Sequence, residues 1–204
     1  MSDRLLTGAV RDYYEGRLET FGPTARGVDW NSTDSQELRF EQLLPTSWNE
    51  VGRSILDYGC GYGALLTYLR ARNWSGEYVG YDLSSEMVSA ARQQHGSDGR
   101  FEIDLPTTTF EYTLASGLFN VRLGFAEAQW EEYISAVLDE MWTCTVSVMA
   151  FNMLTSHSDP DRRREDLYYA DPGRFLDLCV RKYSRHVRLH HGYGLYEFTI
   201  QVEA

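Results

Sequence analysis

The sequence predicts an α/β fold, a mostly parallel, doubly wound sheet of seven strands that ends in an antiparallel hairpin and follows an N-terminal helical extension. Three observations predict it. Ile55-Leu56-Asp57-Tyr58 is an apolar strand that runs directly into the glycine-studded turn Gly59-Cys60-Gly61-Tyr62-Gly63. Strand-like and helix-like periodicities then alternate down the chain. At the end, Tyr196, Phe198, Ile200 and Val202 alternate with Glu197, Thr199 and Gln201, a half-buried strand that follows a Gly192-Tyr193-Gly194 turn.

Residues 1–50 form the extension and 51–204 the sheet domain. Within the extension, 5–18 predicts a helix, Gly22-Pro23 and Gly27 mark a loop, and 36–44 predicts a second helix behind the capping-rich lead Asn31-Ser32-Thr33-Asp34-Ser35. A strand at 54–58 is followed by a helix at 63–72, where Ala64, Leu65, Tyr68 and Leu69 recur at helical spacing. A strand at 77–81 leads to a helix at 84–94, with Ser84 as its N-cap. Strands follow at 100–103 and 112–116. Trp130, Tyr133, Ile134, Val137, Leu138 and Met141 then make one apolar helical stripe. The mostly apolar segment 143–154 predicts a central strand covered on both faces. Asp159-Pro160 and Asp171-Pro172 each pair a capping acid with a first-turn proline, predicting two further helices. Strands at 185–189 and 196–202 form the closing hairpin.

At 204 residues the chain has one domain's length and enough material for a sizeable core. It has no apolar run long enough for a membrane span, and Met1-Ser2-Asp3-Arg4 leads into no apolar signal core, so a cytoplasmic protein without membrane contact is expected. Cys60, Cys144 and Cys179 form neither an even framework nor a metal pair, and no metal is expected. The net charge of −11 opposes binding a polyanion, so no nucleic-acid partner is expected. The one basic run, Arg162-Arg163-Arg164, is flanked by acids and reads as a solvated helix face.

The glycine turn carries the functional signal. Alternate glycines let the backbone bend sharply and approach a ligand closely. Asp82 ends the second strand nineteen residues after Gly63, where a carboxylate can accept the two hydroxyls of a ribose. Gly59-Cys60-Gly61-Tyr62-Gly63-Ala64 can be fitted to a dinucleotide fingerprint, which leaves a NAD-dependent oxidoreductase as one alternative. Asp57 argues otherwise, because a carboxylate two residues before the first glycine suits a ligand that carries an ammonium group.

Acid-x-Gly-x-Gly-x-Gly resembles motif I of the class I S-adenosylmethionine (SAM)-dependent methyltransferases. The strand order, turn and terminal hairpin over 54–203 resemble that Rossmann-like fold, whose seventh strand is antiparallel. The resemblance implies SAM as cofactor and carries over by position. Asp57, Gly59, Gly61 and Gly63 would flank the methionine part. Asp82 would hold the ribose, with Leu83 beside the adenine. Asp104 and Leu105 would read the adenine edge, and Ser116 would lie under the methionine moiety. Gly27-Val28-Asp29-Trp30-Asn31, Gln36 with Arg39-Phe40, Ser116-Gly117-Leu118-Phe119-Asn120 and Tyr193-Gly194-Leu195-Tyr196-Glu197-Phe198 resemble a narrower bacterial branch of small methyltransferases.

In that frame Trp30, Gln36 and Arg39 read as a lid over SAM, with Arg39 or Gln36 meeting its carboxylate; the plain alternative is a docked helix. A hydroxyl acceptor also needs a base. His157 follows the fifth strand, where substrate walls are built, and Tyr168 and Tyr169 follow it, so His157 and Tyr169 are the catalytic candidates. His95 reads as a partner of its helix's C-terminal dipole, and His190 and His191 as surface residues. The expected activity is methylation of a small molecule, at a hydroxyl of a sugar or natural-product intermediate. A non-catalytic SAM-binding protein is the remaining alternative.

Overall fold

The computed structural model describes residues 2–30 and 32–204, and side chains from residue 5 onward. Asn31, part of two of the strings above, lies outside the described residues. Helices α1 (Ser2–Phe21) and α2 (Thr33–Leu43) precede the sheet, joined by a short 3-10 turn at Ala25–Val28. The sheet comprises β1 (Ser54–Tyr58), β2 (Glu77–Tyr81), β3 (Arg100–Glu102), β4 (Phe110–Ala115), β5 (Thr145–Leu154), β6 (Val187–His190) and β7 (Glu197–Glu203). Helices α3 (Ala64–Ala71), α4 (Ser85–His95), α5 (Glu127–Thr143) and α6 (Pro172–Lys182) make the crossovers.

Strand order is β3-β2-β1-β4-β5-β7-β6, with β7 antiparallel to both its neighbours and every other pairing parallel. β1 shows how one strand serves two layers, because successive side chains point to opposite faces. Ile55 joins Phe40, Leu43, Leu65, Leu69 and Val88 of α2, α3 and α4. Leu56 and Tyr58 join Trp130, Ile134, Leu138 and Phe175 of α5 and α6, to which α1 adds Leu6 and Val10. Among the described residues no helix is long and apolar enough to cross a membrane.

Caps fall largely where the sequence places them. The Ser84 hydroxyl accepts from the Met87 amide at 3.1 Å. The Asp171 carboxylate accepts from the Gly173 and Arg174 amides at 2.8 and 3.2 Å. Asp159-Pro160 behaves differently, since the chain makes only a 3-10 turn at Pro160–Arg162. The Asp159 carboxylate accepts from the Tyr196 hydroxyl instead of capping, and the Tyr169 hydroxyl takes the Arg164 amide. The arginine run therefore lies on no helix face. Arg163 donates to the Ser156 and Ser158 carbonyls, and Arg164 pairs with Asp166 and Asp29. β4 begins two residues before the predicted 112 because Phe110 pairs with Thr145 across a register shift.

Candidate functional site

The site is built at the C-terminal ends of β1, β2 and β4. The Gly59 and Cys60 amides both donate to the Tyr81 carbonyl, at 2.8 and 3.0 Å, which folds the turn over the end of β2. Gly59 sits at φ +79, and a Cβ there would come within 2.8 Å of Leu118 Cδ1, so the turn needs glycine for both conformation and space. Opposite it, Gly117 lies at φ +72 directly beneath the Trp30 indole, where a Cβ would stand 2.1 Å from a ring carbon. Gly63, the residue before α3, faces His95 and Phe101, and it borders neither of the two cavities at this turn. His95 stacks on Phe101, and burial lowers its pKa.

Asp82 is fixed by two amides, with Gly61 donating at 2.8 Å and Ser84 at 2.9 Å. Burial raises its pKa, while those donors pull it back. A carboxylate has about four acceptor positions, so two amides leave room for further hydroxyl donors. Asp57 lies below the turn, 2% exposed, and its carboxylate accepts from the Tyr78 hydroxyl at 2.6 Å. Burial pushes its pKa up to about 7, against the pull of that hydroxyl and helped by the charge of Asp82.

Two cavities meet at this turn. The larger, about 450 Å³, runs between α1 and α5 over the ends of β1 and β2. The smaller, about 40 Å³, lies beside the turn and includes Asp57, Gln36 and Tyr62 in its lining. Val28, Trp30, Gly59, Gly61 and Ser116 border both. The larger cavity brings Asp82 and Leu83 together with residues that carry no functional signal in the sequence. These are Val10 and Tyr14 on α1, Tyr58 and Tyr81 on the strands, and Glu132, Tyr133 and Glu140 on α5. The apolar stripe through Tyr133 and Val137 reads from sequence as core, whereas in the fold its edge borders the cavity.

Several expected site residues lie elsewhere. Asp104 is exposed and Leu105 packs on the core; neither borders the two cavities. His157 is exposed, its ring set edge-on to His191 at 5.8 Å, and Tyr169 accepts from the Arg164 amide; both stand outside the cavities. His191 is exposed, but His190 is half-buried. Tyr168 is buried and donates to Glu131 at 2.9 Å.

Arg39 also lies outside both linings. Its guanidinium makes a bidentate pair with Glu197 on β7, donates to the Ser35 carbonyl at 2.6 Å, and stacks on Trp30 at 3.9 Å. Glu197 in turn accepts from the Asn152 side-chain Nδ2 at 2.6 Å, and the Asn152 side-chain Oδ1 accepts from the Gly117 amide at 2.7 Å. A buried polar chain thus runs from α2 through β7 and β5 to the loop after β4. Trp30 itself borders both cavities, and Gln36, 5% exposed, accepts from the Tyr62 hydroxyl at 3.3 Å.

Comparison with known proteins agrees with this geometry. A family profile described as a methyltransferase domain matches residues 55–147. A Mycobacterium tuberculosis protein provisionally named a methyltransferase is 48% identical over 154 residues, 73% of this chain and 92% of that protein. Malonyl-acyl-carrier-protein O-methyltransferase of Pectobacterium atrosepticum is 30% identical over 142 residues, 69% of this chain and 53% of its own length. The magnesium protoporphyrin IX methyltransferase of Synechocystis PCC 6803, solved with SAM, shares the fold at a TM-score of 0.64 and 14% identity, covering 97% of this chain and 96% of that one. Human N-acetylserotonin methyltransferase, solved with SAM, shares it at 0.66 and 15% identity, covering 97% and 58%.

The chain belongs to the class I SAM-dependent methyltransferases, and SAM is the methyl donor of that family. The residues present fit this cofactor. The cavity volume is in the ~300–1,000 Å³ range of small-molecule sites. The Ser116 hydroxyl, on the border of both cavities, is buried with no hydrogen-bond partner among the described residues, an orphan polar group that a ligand would satisfy.

Proposed function

We propose that this methyltransferase modifies an oxygen of a small, uncharged acceptor rich in hydrogen-bond donors. The observation that carries the proposal is the lining of the larger cavity. It presents the carboxylates of Asp82, Glu132 and Glu140 and the phenols of Tyr14, Tyr58, Tyr81 and Tyr133. The one basic side chain among the described lining residues, Arg11, pairs with Asp12 at 2.8 Å. Such a surface welcomes hydroxyl donors and repels phosphates, and with a net charge of −11 it makes DNA or RNA the wrong acceptor. A relative named as an O-methyltransferase, at 30% identity, supports oxygen as the methylated atom.

In this reading Asp82, Leu83, Gly59, Gly61 and Ser116 contact SAM, with Trp30 and Gln36 covering it. SAM supplies a methyl group already activated on a sulfonium, so the protein contributes mainly by holding the acceptor in place. Burial raises the pKa of Tyr14 and Tyr133, and that of Tyr81 to about 12, so these phenols stay protonated and orient an acceptor by donating to it. The carboxylates of the lining accept from the hydroxyl groups of the methyl acceptor. His157 and Tyr169, outside the cavities, receive no role in it.

The test is incubation with SAM labelled in the methyl group and a panel of sugars, phenols, amines, protein and DNA. Label on the oxygen of a small molecule is the expected result. Label confined to nitrogen, to protein or to DNA would overturn the proposal.

A further inference from the structure

We propose that Glu197 of β7, which borders neither cavity, is a positioning residue for the site: through Arg39 it sets the Trp30 indole, and through Asn152 it sets Gly117. The inference rests on the reading that Trp30 and Ser116 meet SAM. The contacts close into a ring of five residues. The Arg39 guanidinium pairs with Glu197 at 2.9 Å and lies 3.9 Å from the centre of the Trp30 ring. Glu197 accepts from Asn152 Nδ2 at 2.6 Å, Asn152 Oδ1 accepts from the Gly117 amide at 2.7 Å, and Gly117 lies against Trp30. Segments 27–31, 36–40, 116–120 and 193–198 each contribute one member, and Asn152 is the fifth.

The polarity of the ring allows one arrangement. A guanidinium only donates and a carboxylate only accepts. Glu197 therefore takes Arg39 and the Nδ2 end of the Asn152 amide, which leaves Oδ1 to face the Gly117 N–H. Turned over, that amide would set donor against donor at Gly117 and acceptor against acceptor at Glu197. Arg39, Asn152 and Glu197 are all buried, so a bond lost here is not replaced by one to water. The consequence reaches the site, because Trp30 and Ser116 border both cavities and Gly117 borders the larger. The ring fastens this shared wall to β7. A site that must hold a methyl donor and an acceptor in line depends on such a wall staying in place.

The experiment is a double-mutant cycle on the affinity for S-adenosylhomocysteine, measured by calorimetry, with Trp30→Ala as one arm and Asn152→Ala as the other. Asn152→Ala cuts the ring between Glu197 and Gly117 without altering a cavity-lining residue. It should weaken binding by about 3- to 100-fold, the size of couplings between linked residues, and should lose most of that effect in the Trp30→Ala background. Arg39→Met/Glu197→Leu, whose apolar replacements retain the fold, should behave in the same way and stands in if Asn152→Ala does not fold. A merely structural role would weaken binding equally with and without Trp30. That additivity, or full affinity in Asn152→Ala, would overturn the proposal alone. Full affinity in Trp30→Ala would overturn the reading of Trp30 as a SAM contact and the proposal with it. Wild-type protein that does not bind S-adenosylhomocysteine would refute SAM binding itself, and both readings with it.

Discussion

Asp57 illustrates how one buried carboxyl makes folding depend on pH. Its carboxyl is buried beneath the glycine turn, with only the Tyr78 hydroxyl donating to it and Asp82 repelling it. Its folded-state pKa, about 7, lies above the ordinary unfolded value near 3.9. Between those values the native state keeps a proton that the unfolded chain has released, so stability falls as pH rises through that window. Asp57→Asn removes the titration. The stability of wild type relative to Asp57→Asn should therefore fall from pH 5 to pH 8, by up to about 2.5 kcal/mol, in urea unfolding at each pH. A pH-independent difference would contradict this placement of the charge. An ammonium group on the ligand would favour the charged form of Asp57, which gives a methionine end a reason to settle there.

At the scale of elements, the extension is tied to the sheet by a buried ion pair. Arg39 of α2 and Glu197 of β7, their side chains 8% and 1% exposed, hold each other and, through Asn152, the loop after β4. Removing one partner leaves the other charged and buried. Arg39→Ala should cost about 3–5 kcal/mol in denaturant unfolding, and Arg39→Met/Glu197→Leu should recover much of it. A loss under about 1 kcal/mol for Arg39→Ala would show that the pair is not shielded as described. The elements differ in how far the sequence discloses them. β1, its turn, α3 and β2 with Asp82 are readable because alternation, glycine and caps are local signals. The Arg39–Glu197 pair spans 158 residues and the Tyr58–Glu140 contact 82, and no local pattern marks either. Asp159-Pro160 misleads as a helix start because a distant tyrosine, Tyr196, takes the capping carboxylate.

Across the whole molecule, the strand order β3-β2-β1-β4-β5-β7-β6 places the ends of β1, β2 and β4 side by side, and the site forms over them. The extension belongs to that site, since α1, Val28, Trp30 and Gln36 line its cavities. No helix separates β3 from β4, and α1 instead adds Leu6 and Val10 to the core beside Tyr58 and Tyr81. The sequence discloses the floor of the site through its glycines and acids. The walls escape it, because apolar periodicity on α1 and α5 looks the same whether a residue meets core or cavity.

The decisive measurement is a calorimetric titration of the purified protein with S-adenosylhomocysteine, beside NADH, for wild type and for Asp82→Ala. The arrangement of turn, carboxylate and cavity predicts binding of S-adenosylhomocysteine alone, weakened by about 100-fold or more in Asp82→Ala through loss of the paired ribose contacts. Binding of NADH instead, or undiminished affinity in Asp82→Ala, would contradict it.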